Sequence, residues 1–126
     1  MAEAILNKTG EFVDTTKDGI VIVNALGDIP GGRTLDVSGF TGVLKAGHVI
    51  IKTTSTGVYK PLAVTGTPAA YDTKDAGDEW VGVLKASIPV SDPRAAIVTI
   101  GQINAAACPY TITDTIKAGL PRIEFL

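Results

Sequence analysis

Few side chains in this sequence could make or break bonds, and they stand far apart. The single histidine, His48, follows Gly47 at the start of an apolar run. A nucleophile needs a base or a charged neighbour to activate it. At a strand start, a polar ring facing solvent is the simpler expectation for His48. The single cysteine, Cys108, lies in Ala105-Ala106-Ala107-Cys108-Pro109, a setting that favours a small buried thiol over a reactive one. Four carboxylates crowd one stretch, Asp72, Asp75, Asp78 and Glu79. Hard cations want several oxygens at defined spacing, and this spacing does not fit a calcium loop, so a solvated acidic loop is expected. One histidine and one cysteine are too few for a zinc site built from such ligands. No glycine-rich phosphate loop is present, and Gly31-Gly32-Arg33 reads as a turn with a basic neighbour. The lysines Lys45, Lys52, Lys60, Lys74 and Lys85 form no run, and aromatic residues are too scarce for a base-stacking platform. No pair of carboxylates is singled out for sugar hydrolysis. The expectation is a protein that is not an enzyme and takes no cofactor and no metal.

The elements that would position these residues follow from length and composition. A chain of 126 residues supports one domain, or one domain with an arm. Hydrophobic residues at 45% and charged residues at 19% are those of a globular chain. Lys and Arg number 11 and Asp and Glu 13, a net charge of -2, which argues against phosphate or anionic lipid as the main partner. The apolar runs are too short to span a bilayer as a helix. Met1 to Gly10 shows no secretory leader pattern, so Asn7-Lys8-Thr9 is read as a chance sequon. The lone cysteine fits a compartment where disulfides are not needed.

Valine, isoleucine and threonine together number 40, and branched side chains favour pleated surfaces. Glycine, proline or aspartate interrupts the apolar runs every eight to twelve residues, the spacing of a small all-β barrel or sandwich. Residues 1–32 are read as an extended N-terminal arm holding one short strand, Ile20 to Asn24, and residues 33–126 as the compact domain. His48 to Lys52 and Val58 to Leu62 should form a hairpin around Ser55-Thr56-Gly57, with Pro61 at a sheet edge. Trp80 to Leu84 is the next strand, with a bulge or close packing at Gly82. Ala95 to Ile103 should be the centre of the sheet. One short helix follows, capped by Thr113 or Asp114 and closed by a left-handed Gly119. Arg122 to Leu126 ends the chain as a strand. Mean hydropathy is positive, so part of the apolar surface is expected between chains.

The order of motifs resembles the small decoration, auxiliary and head-fibre-base proteins of tailed bacteriophage capsids, among them the lambda-like head decoration family. It is carried by LDVSGFTGVLKAGHVIIK (Leu35 to Lys52), VYKPLAV (Val58 to Val64), WVGVLKA (Trp80 to Ala86), SDPRAAIVTIGQINAAACPY (Ser91 to Tyr110) and PRIEFL (Pro121 to Leu126). The resemblance covers roughly residues 30 to 126. It implies a β-tulip-like fold and a homotrimer on the outer capsid surface of the virion, made in the host cytoplasm. There it would bridge major capsid proteins, without direct nucleic-acid or membrane contact. In such proteins the arm reaches the capsid, which here would use Ile5, Leu6, Phe12, Val13, Ile20, Val21, Ile22 and Val23 as contacts. The strand at Ile20 to Asn24 departs from the lambda-like pattern. That leaves open whether the chain is a free-standing cement protein or the base of a head fibre; a separate alternative is a host-surface carbohydrate-binding module, for which Tyr59, Tyr71 and Trp80 are the candidate aromatics.

Overall fold

The computed structural model describes residues 18–66 and 69–126. The chain opens with one helical turn, α1 (Asp18–Val21), followed by β1 (Ile22–Asp28). Then come β2 (Arg33–Thr34), β3 (Val43–Leu44), β4 (Val49–Thr53), β5 (Tyr59–Pro61), β6 (Val64–Thr65) and β7 (Ala70–Tyr71). The second half holds β8 (Asp78–Leu84), β9 (Ile88–Pro89), β10 (Arg94–Ala95), β11 (Ile97–Ile103), a 3-10 turn (Ala105–Ala107), α2 (Asp114–Gly119) and β12 (Ile123–Phe125). The fold is mostly β, with open sheets and no closed barrel, in the manner of a small sandwich.

The main sheet runs β1-β11-β8-β4-β5, and β12 lies parallel to the far end of β11. Three two-stranded ribbons, β2 with β10, β3 with β9 and β6 with β7, complete it. The strand at Ile97–Ile103 touches β1, β8 and β12, so the expected central strand is central. Alternation explains the uninterrupted apolar runs: Val49 and Ile51 enter one core and Ile50 the other. Val83 and Val98 likewise face the first core, while Leu84 and Ile97 face the second. A sheet buried on both faces cannot show the apolar–polar alternation of a half-exposed one.

Four local expectations meet the structure directly. The hairpin of β4 and β5 forms, with Gly57 at φ 71° and Pro61 in the last strand of the sheet. Gly82 sits where β8 and β11 approach so closely that a Cβ would overlap the Val98 carbonyl, and the β4–β8 register shifts between Ile50 and Ile51. Thr113 caps α2, its Oγ1 accepting from the Ile116 amide at 3.3 Å. Gly119 differs: it is the last helical residue, without positive φ, and the helix ends at Leu120 with φ -123°. Glycine is there because a Cβ would strike the Trp80 indole.

The N-terminal expectation also changes. Asp18–Val21 is a helical turn, and the strand starts at Ile22 and runs to Asp28. The turn is held by Asp18, whose two carboxylate oxygens accept from the Ser87 amide at 2.8 Å and the Ser87 hydroxyl at 2.7 Å. The Ser87 hydroxyl in turn accepts from the Ala46 amide at 3.0 Å. Val21 is then buried against Gly47, whose missing Cβ leaves room for it. The expected short helix therefore has a second, smaller companion near residue 18. Residues 18–32 are joined to the sheet through β1, where the sequence reading put them in the arm.

Candidate functional site

His48, Cys108 and Asp78 are engaged in packing, hydrogen bonds or an ion pair, and Cys108 lies close to the His48 neighbourhood. His48 is not turned to solvent as expected; it is 2% exposed. Its ring meets Phe40, Tyr71 and Tyr110 edge-on, with centroids 5.7, 5.3 and 5.6 Å away. Its Nε2 lies 2.9 Å from the Leu62 carbonyl. A carbonyl only accepts, so Nε2 carries the proton and Nδ1 is the basic atom of the neutral ring. Burial pushes the His48 pKa below the usual imidazole range, against a smaller opposite pull from the Leu62 carbonyl. Tyr71 accepts at its hydroxyl from the Val49 amide at 3.0 Å, and burial raises its pKa. This cluster was invisible in sequence, because its four rings come from positions 40, 48, 71 and 110.

Cys108 is half-buried, and burial pushes its thiol up to about 11. Its Sγ faces the Asn104 carbonyl at 3.5 Å, so it is the small apolar filler expected, not an activated nucleophile. In the acidic stretch, Asp78 departs from the solvated reading. It is 8% exposed, begins β8 and pairs with Lys60 at 3.3 Å. Glu79 pairs with Lys52 at 2.6 Å on the neighbouring strand. Among the described residues no group of three His, Cys, Asp or Glu could hold a metal ion.

The aromatic residues considered for sugar binding are also engaged. The Tyr59 ring has the Arg33 guanidinium at 5.6 Å and the Lys52 ammonium at 5.7 Å from its centre. Trp80 has Lys74 at 5.6 Å and packs against Gly119. Tyr71 belongs to the His48 cluster. Each of these rings thus already has a cation over it or another ring against it.

What stands out is β1. Among the described residues it is the outer strand of the main sheet, paired on one side with β11. The register steps from Ile22↔Ile103 to Asn24↔Gln102, and from Ala25↔Gly101 to Gly27↔Ile100. Val23 and Leu26 are thus each the extra residue of a bulge. Bulges bend a strand and re-aim side chains, most often at sheet edges. Val23 is 50% exposed and Leu26 69% exposed, and Ile20 just before them is 56% exposed. Ile100 is 37% exposed and packs over Gly27. Three large aliphatic residues at a spacing of three thus stand clear of the core on one short segment. Asp28 closes the strand with an exposed ion pair to Lys85 at 3.3 Å, a contact worth little.

The predicted contact residues divide accordingly. Ile20 and Val23 are available at the surface. Val21 is 2% exposed and serves the chain's own core, and Ile22 is half-buried and packs against that core. Ile5, Leu6, Phe12 and Val13 lie outside the described residues. Leu26 and Ile100 were missed. The three-residue spacing of Ile20, Val23 and Leu26 was the available signal, but without knowing the bulges it reads as neither strand nor helix. No family model, no curated protein and no solved structure matches this chain.

Proposed function

We propose that the chain is a structural virion protein of a tailed phage that decorates the outer capsid surface. It acts by contact, as a homotrimer, clamping neighbouring major capsid proteins together. The observation that carries this reading is the bulged edge strand β1, which holds Val23 and Leu26 out of the ladder beside Ile20. The order of motifs from Leu35 to Leu126 and the mostly β fold support it. So does the engagement of His48 and Cys108 in packing and of Asp78 and Glu79 in ion pairs. The occupied faces of Tyr59 and Trp80 weigh against the carbohydrate-binding alternative.

The edge supports one mode of docking over another. A strand with two bulges offers no regular ladder to a neighbour, and such edges resist strand addition. Val23 and Leu26 act instead as knobs that enter apolar pockets on the shell. Fully burying a leucine side chain is worth about 1.5–3 kcal/mol. With 69% of Leu26 exposed, docking gains about 1–2 kcal/mol from this residue per subunit. Three linked subunits turn that modest gain into avidity.

The test is occupancy on shells assembled from the major capsid protein of the parent phage, measured by co-sedimentation. Val23→Asp with Leu26→Asp should lower occupancy at least tenfold. The trimer mass and melting temperature should change little, because both positions are exposed. Full occupancy by the double variant, or a wild-type chain that is monomeric and ignores shells, rejects the proposal.

A further inference from the structure

The His48 cluster joins four parts of the chain that are distant in sequence: the turn at Phe40, the start of β4, β7 and the segment carrying Tyr110. Each ring is half-buried or buried, and the histidine at their centre is the least exposed. The titratable groups that face it are the phenols of Tyr71 and Tyr110, with the Cys108 thiol next to Tyr71. The carboxylates on the neighbouring elements are turned elsewhere: Asp36 to Ser38, Asp72 to the Thr73 amide and Asp78 to Lys60. Lys60 is held by that pair, and Lys45 is exposed on the turn before His48. An imidazolium at this position would therefore have aromatic rings around it and no counter-charge. A buried charge without a partner is strongly disfavoured.

The position matters because the cluster lies directly beneath the N-terminal root. Gly47, the residue before His48, packs against Val21 of α1 and against Cys108 and Pro109. The Asn104 amide donates to the Val21 carbonyl at 2.8 Å, tying α1 to the segment that carries Tyr110. Through Gly47, Cys108 and Pro109 the cluster adjoins the site that seats Val21.

We propose that His48 is an acid-sensitive pin: protonation at Nδ1 forces the ring out of the Phe40–Tyr71–Tyr110 cluster and unseats the segment around Tyr110 together with α1. The inference stands on the cluster geometry and is independent of what β1 docks against. Its direction follows from linkage. Burial lowers the folded-state pKa of His48 beneath its unfolded value of 6.5. The neutral ring therefore contributes stability that is present above pH 6.5 and is lost as the pH falls from there toward the folded value. Asp36 and Asp92, whose pKa values are lowered by their hydrogen bonds to Ser38 and Arg94, titrate below this window.

The test uses the full chain. Denaturant unfolding is followed from pH 8 to pH 5, alongside amide exchange at Asn104 and Val49 and NMR titration of the single histidine. In the wild-type protein the folding equilibrium constant should fall by up to about tenfold per pH unit below 6.5, and the Asn104 amide should lose protection first. His48→Gln retains a donor toward Leu62 without titrating, and should remove the pH dependence in this window. An equal pH dependence in His48→Gln overturns the proposal. If that variant does not fold, the wild type decides alone: a His48 ring that titrates at or above 6.5 with Asn104 still protected also overturns it.

Discussion

Replacing Gly119 by alanine sets two effects against each other, and the structure decides which wins. In a helix interior, Gly→Ala stabilises by about 1 kcal/mol, and less at the last turn where Gly119 sits. Against this, the new Cβ would lie 2.6 Å from Trp80 Cε2 and nearer still to Cδ1 and Nε1. These atoms belong to a rigid ring that packs on the main core and has Lys74 over it, so they cannot swing aside as a flexible chain end would. Overpacking of this kind costs about 1–3 kcal/mol. The net expectation is destabilisation of about 1–2 kcal/mol. Trp80 is the chain's one tryptophan, so its fluorescence reports ring displacement directly while urea midpoints give the free energy. The sign should reverse in a Trp80→Leu background, followed by circular dichroism, where alanine at 119 should stabilise by up to about 1 kcal/mol. A Gly119→Ala protein that is more stable than wild type, with unchanged emission, would refute the reasoning. It would mean that Gly119 is not there for the indole.

Three further outcomes rest on other contacts. Asp18→Ala leaves the amide of Ser87, a residue 7% exposed, without its acceptor, so stability should fall by about 1–3 kcal/mol and exchange at Asn104 should rise; an unchanged urea midpoint counts against the clasp. Cys108, with its thiol pushed up to about 11, should react with iodoacetamide at pH 8 at least tenfold more slowly in the folded chain than in urea. Because its folded pKa is raised, Cys108 also withdraws stability as the pH climbs above its unfolded value near 9, which an alkaline unfolding series compared with Cys108→Ala would reveal.

Much of the fold was legible in the residues because it rests on local physics. Branched side chains, short apolar runs and glycine-bearing turns specified strands, and Ile97–Ile103 announced itself as central because it lies in the longest strand-like run of the sequence, Ala95 to Ile103. The cap at Thr113 and the turn at Gly57, with φ 71°, needed only the preferences of single residues. Tertiary structure decided the rest. Gly119 reads from sequence as a left-handed helix end, yet it is the nearness of Trp80, 39 positions earlier, that requires a glycine there. His48 is buried because three aromatic residues from remote positions close over it. Ile20 to Val23 divides into outward and inward side chains because Asp18 finds Ser87 and turns the backbone once before β1 starts. The exposed Val23 and Leu26 depend on bulges set by the register with β11. Periodicity carries only the average geometry of one strand, while a bulge exists only between two.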